Sequence, residues 1–115
     1  MEPKKYQELS NEGENCAAQE PFALQVLDDS MYPEFEKDCI VIIDPSVNAK
    51  NGDYVLYETD KSLILRKIEI INKINLLALN KDYKSIEIKE EDKKNILGVV
   101  TQRSGKKRDY HKKYG

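Results

Sequence analysis

The chain has 115 residues, 39% hydrophobic and 35% charged, with a formal net charge of −2, which bounds it to one domain with a modest core and a heavily charged surface. No apolar run approaches the roughly 18 residues that cross a bilayer, and the opening MEPKKYQELSNEGEN lacks the basic-then-apolar pattern of a secretion signal. A soluble, cytoplasmic protein with no membrane partner is therefore expected.

Residues 1–20 set Glu2, Glu8, Glu12, Glu14 and Glu20 against Lys4 and Lys5, with no sustained periodicity. They read as a flexible polar arm, with Cys16 as a free thiol. Phe22 to Leu27 is the first expected strand. Asp28 to Ser46, DDSMYPEFEKDCIVIIDPS, follows. Its serine, Ser30, stands after that strand and before Pro33, a placement that puts the hydroxyl on a loop held by a sheet. From spacing alone this is also an ordinary strand–turn–strand corner, since Ser and Pro are common turn residues. Cys39 to Ile43 is apolar on both parities, as in a central strand covered on both faces. Asp44-Pro45 stops it, and Cys39 reads as a small buried hydrophobe.

Lys50-Asn51-Gly52-Asp53 is a turn signal. Strands follow over Asp53–Glu58, Ser62–Ile71, Ile74–Leu79, Ser85–Ile88 and Ile96–Gln102, with a charged loop at Glu90–Lys94. Seven short strands without a convincing helix predict an all-β barrel or sandwich over residues 21–102. Residues 103–115 carry Arg103, Lys106, Lys107, Arg108, Lys112 and Lys113 against Asp109. They read as a disordered basic tail, able to touch nucleic acid weakly. The lone His111 lies there, and the two cysteines have no metal spacing, so neither a histidine triad nor a zinc site is expected, nor any cofactor or metal.

Ser30-Met31-Tyr32-Pro33, a turn, and an apolar strand ending in Asp44-Pro45 resemble the LexA/UmuD/phage-repressor peptidase-like domain. Signal peptidases share the Ser-Met-x-Pro box. Asn51-Gly52-Asp53 with Tyr54–Tyr57, Leu63–Ile68, Leu77-Ala78-Leu79-Asn80 and Ile96–Val100 extend the resemblance over Phe22 to Gln102. It implies Ser30 as nucleophile and a lysine on the Leu63–Ile68 strand as base. No helix-turn-helix precedes the domain, so the DNA-reading head of the family is expected to be absent.

A serine hydroxyl needs a neighbouring base. Without a core histidine that base is a lysine, kept neutral by a desolvated pocket. One face of the long strand carries Ile64, Arg66, Ile68 and Ile70; the other carries Leu63, Leu65, Lys67, Glu69 and Ile71. The resemblance lays the family's lysine on Arg66, and arginine does not deprotonate. Lys67 is one residue on and faces the opposite way, so only a β-bulge would turn it inward. No Ala-Gly or Cys-Gly cleavage pair lies upstream. Asp38 replaces a family glycine in a turn whose geometry aspartate tolerates.

Three readings follow. In the first, the chain is a catalytically impaired domain that pairs with a copy of itself, through Ile96–Gln102, or with a regulatory protein, in transcriptional or DNA-damage (SOS) regulation. In the second, it is an active peptidase using Ser30 and Lys67. In the third, it is a UmuD-like accessory subunit of a DNA polymerase.

Overall fold

Alternating and β-branched segments between polar turns leave the backbone little choice but strands. In the computed structural model, which describes residues 20–114, eight of them form: β1 Phe22–Gln25, β2 Ile40–Asp44, β3 Tyr54–Glu58, β4 Leu63–Ile70, β5 Ile74–Leu77, β6 Ile86–Ile88, β7 Ile96–Ser104 and β8 Lys112–Lys113. Two short 3-10 helices, Glu90–Asn95 and Arg108–Tyr110, interrupt them. The expected all-β class and the seven strands are present. The polar arm at residues 1–20, with Cys16, lies almost wholly outside the described residues. No helix among the described residues is long and apolar enough to cross a membrane.

The strands form one antiparallel sheet in the order β1-β2-β7-β3-β4-β5-β6, with β8 added alongside β7. The path is open, so β1 and β6 end it instead of closing a barrel. Neighbouring residues on a strand point to opposite faces, and each face buries its own core. One gathers Leu24, Met31, Phe35, Val41, Ile43, Leu56, Leu65 and Val100. The other gathers Val55, Tyr57, Ile68, Ile74, Leu76, Ile88 and Val99.

Three expectations are corrected here. β2 is not the central strand; β7 and β3 are, because β7 pairs β2 through Val99–Ser104 and β3 through Ile96–Val99. Gly98 sits at that crossing, where a Cβ would lie 2.6 Å from Ile43 Cγ2. The same pairings place Ile96–Gln102 inside the sheet and not at its edge: β2 lies along one side from Val99 on, and β3 and then β8 lie along the other at Ile96–Val99 and Gln102–Arg103. The basic tail is not a disordered end either. Residues 105–114 fold back so that β8 pairs Gln102 and Arg103, and Tyr110 and Tyr114 pack against the first core.

Candidate active site

Ser30 follows β1 in a tight turn that runs through Met31 and a cis Tyr32–Pro33 bond. Met31 and Phe35, both fully buried, plug this turn into the first core. Asp38 closes it at φ 76°, the left-handed geometry expected where the family carries glycine. The backbone of Ser30 is fixed from two sides. Its amide donates to Asp28 Oδ1 at 3.1 Å, and its carbonyl accepts the Asn80 amide at 2.9 Å. Asn80 also donates its side-chain amide to the Asp29 carbonyl at 3.1 Å. The turn after β5 thus holds the turn after β1.

Arg66 comes from the middle of β4, on the face of Ile64 and Ile68. Ser30 and Arg66 are the two buried polar or charged residues among those described, 1% and 7% exposed. They meet: Arg66 Nη1 donates to Ser30 Oγ at 3.0 Å and to the Leu65 carbonyl at 2.8 Å. Ser30 Oγ in turn donates to Asp28 Oδ1 at 2.8 Å. Arg66 Nε is buried without a partner, and no carboxylate among the described residues forms an ion pair with the guanidinium. Burial therefore draws the Arg66 pKa down, with Asp28 and Tyr83 opposing. A guanidinium still holds its proton under such a shift. It can donate to the serine oxygen, but it cannot accept the serine's proton.

Lys67 lies on the other face. Its Nζ stands 6.0 Å from the centroid of the Tyr54 ring. The β3–β4 and β4–β5 registers run without a break through Lys67, so no bulge turns it toward Ser30. Of the three residues singled out in sequence, the fold brings two together and leaves the third across the sheet.

Tyr83 was not anticipated. Its ring centroid is 5.9 Å from the Arg66 guanidinium carbon, and its hydroxyl donates to Asp29 Oδ1 at 2.9 Å. That bond to a carboxylate, aided by burial, raises the phenol pKa. The signal available was a tyrosine three residues after Asn80, in the turn that meets the serine loop.

Residues 4–101 match the Peptidase S24-like family. The prophage repressor CohE of Escherichia coli (strain K12) is 34% identical over 92 residues, covering 77% of this chain and 41% of the repressor. The chain therefore spans about two fifths of the length of that curated relative.

Proposed function

This chain belongs to the Peptidase S24-like family and has the LexA/UmuD/phage-repressor type of domain, and from that premise we propose that it works as a regulatory interaction module whose peptidase chemistry Arg66 has disarmed. The single observation that carries the reading is the buried 3.0 Å contact from Arg66 Nη1 to Ser30 Oγ. A base must receive a proton from the nucleophile. The group beside Ser30 is a donor with every proton in place, and it occupies the strand position where the resemblance puts the lysine. What remains is a serine loop pinned by Asp28 and Asn80 onto a covered sheet, suited to holding a surface in shape. The likeness to a prophage repressor supports a role in regulation.

The alternative of an active Ser30–Lys67 pair is disfavoured by the unbroken β4 register, which keeps Lys67 on the Tyr54 face. A fluorophosphonate probe tests both. The parent protein is expected not to label. Arg66→Lys places an amine among Ile64, Ile68 and Ser30, where burial lowers its pKa. It should raise Ser30 acylation by about a hundredfold to ten-thousandfold, the usual worth of general-base assistance, and Ser30→Ala in that background should abolish it. Labelling of the parent at Ser30 that Lys67→Ala removes would overturn the proposal in favour of an ordinary peptidase.

A further inference from the structure

The serine loop has a second end. Glu34 lies four residues after Ser30, in the same turn, and four groups from the end of the chain converge on it. Its carboxylate Oε2 accepts from Arg103 Nη1 at 3.1 Å, from Lys112 Nζ at 3.1 Å and from the Tyr114 hydroxyl. Its carbonyl accepts from the Tyr110 hydroxyl at 3.1 Å and from Arg103 Nη1. The Tyr110 oxygen accepts the Glu36 amide at 2.8 Å. Between these anchors the Tyr114 ring packs on Phe35 and Tyr54, with centroids 5.6 Å from each.

The segment is shaped for this contact. Gly105 starts the fold-back at a point where a Cβ would lie 2.8 Å from the Tyr110 ring. Arg103 stacks under that ring at 4.1 Å and donates Nε to the Tyr110 carbonyl at 2.9 Å. The Tyr114 amide is tied to the Thr101 carbonyl at 2.8 Å. Local opening in proteins proceeds by contiguous cooperative units. Two surface segments joined by charge-assisted bonds to one half-buried carboxylate are such a unit.

We infer that residues 105–114 are a latch on the Ser30 loop, with Glu34 as its catch, so that loop and chain end open and close together and the latch sets the position of Ser30 against Arg66. Glu34 and Tyr114 are then positioning residues, acting on Ser30 through the Met31–Glu36 turn. The inference does not depend on whether Ser30 is chemically competent.

Amide hydrogen exchange on the full chain tests it, read across low urea, where local opening is nearly independent of denaturant and global unfolding is not. The reporters are Phe35 and Glu36 in the loop, Tyr114 in the latch and Asn80, whose amide acceptor is the Ser30 carbonyl. In the parent these four should share one opening equilibrium, weakly dependent on urea and more populated than that of the β4 amide of Ile68. Tyr114→Phe keeps the ring and removes one bond to a charged acceptor. It should speed exchange at all four by roughly tenfold or more, and Glu34→Gln should do the same. If Tyr114 exchanges faster while Phe35, Glu36 and Asn80 do not follow, the segment frays alone and the latch is refuted. Should both variants fail to fold, the parent decides: separate opening equilibria for loop and chain end refute the latch, and a shared one upholds it.

Discussion

The molecule contains one short turn twice. In Asp28–Ser30 and in Asp44–Ser46, an aspartate Oδ1 accepts both the amide and the hydroxyl of the serine two residues on. The distances are 3.1 and 2.8 Å in the first, 2.9 and 2.6 Å in the second. Such turns are a routine way for aspartate to reverse a chain. The difference lies behind the serine. Ser46 is exposed, whereas Ser30 is buried and receives Arg66. The comparison teaches which contact carries meaning. A serine donating to a nearby carboxylate is no sign that Asp28 acts as its base, because Ser46 makes the same contact, and a shorter one, on open surface. What is particular to Ser30 is the closed pocket and the guanidinium in it.

Breaking the shared part should separate the two turns most. Asp28→Ala leaves the Ser30 amide and hydroxyl without their acceptor in a place water reaches poorly. The expected loss is about 1–3 kcal/mol of unfolding free energy, the usual cost of such orphaned groups. Asp44→Ala should lower the urea midpoint by much less, since water takes over at Ser46. Equal midpoints for the two variants would dissolve the distinction.

Replacing what is particular gives a smaller effect of the opposite sign. Arg66 is a buried cation with one unpartnered N–H and no ion pair. An apolar side chain of similar length removes that desolvation cost. Arg66→Met is expected to leave stability unchanged or raise it by about 1 kcal/mol, read by urea denaturation. A loss of more than about 2 kcal/mol, the range of core truncations, would make Arg66 a structural necessity and weaken the functional reading of the pocket.

The smallest effect belongs to the exposed turn. The Ser46 hydroxyl, and then its amide, hold the Asp44 carboxyl below its ordinary value of 3.8. A depressed folded-state pKa contributes stability above the unfolded value and loses it as pH falls through the folded one. Asp44 should therefore titrate below 3.8 by NMR, and Ser46→Ala should move it upward. An unmoved titration would mean that the hydroxyl bond does not persist in solution.

Strand parity put Arg66 among Ile64, Ile68 and Ile70 and sent Lys67 to the other face, whereas the meeting of that face with Ser30 was implied only by the family resemblance. The seven main strands were legible from the same parity: period-two burial is written locally. Their order was not. β7 lies inside the sheet because of long-range register and the close approach at Gly98, and neither leaves a local trace. The latch was hidden by its composition. Lys112 and Lys113 show no apolar alternation, and the anchors, Tyr110 and Tyr114, sit singly among cations. The catch, Glu34, is one acid among many in a chain with 21 acidic residues.

The packing of Phe35, Tyr54 and Tyr114 has an optical consequence. The chain has no tryptophan and seven tyrosines. Phe35 meets Tyr54 edge-on at 88° and Tyr54 meets Tyr114 at 75°, so two of the seven phenols are held in a fixed, asymmetric cluster. Near-ultraviolet circular dichroism arises from such immobilised rings and vanishes when packing loosens, even where far-ultraviolet signal persists. With no indole band to overlie it, the tyrosine region of this protein's spectrum carries a contribution from the junction of serine loop, β3 and chain end. The molecule thus carries a chromophore at the place where residues 105–114 meet the serine loop, and the closing of that junction can be followed by light without attaching a dye.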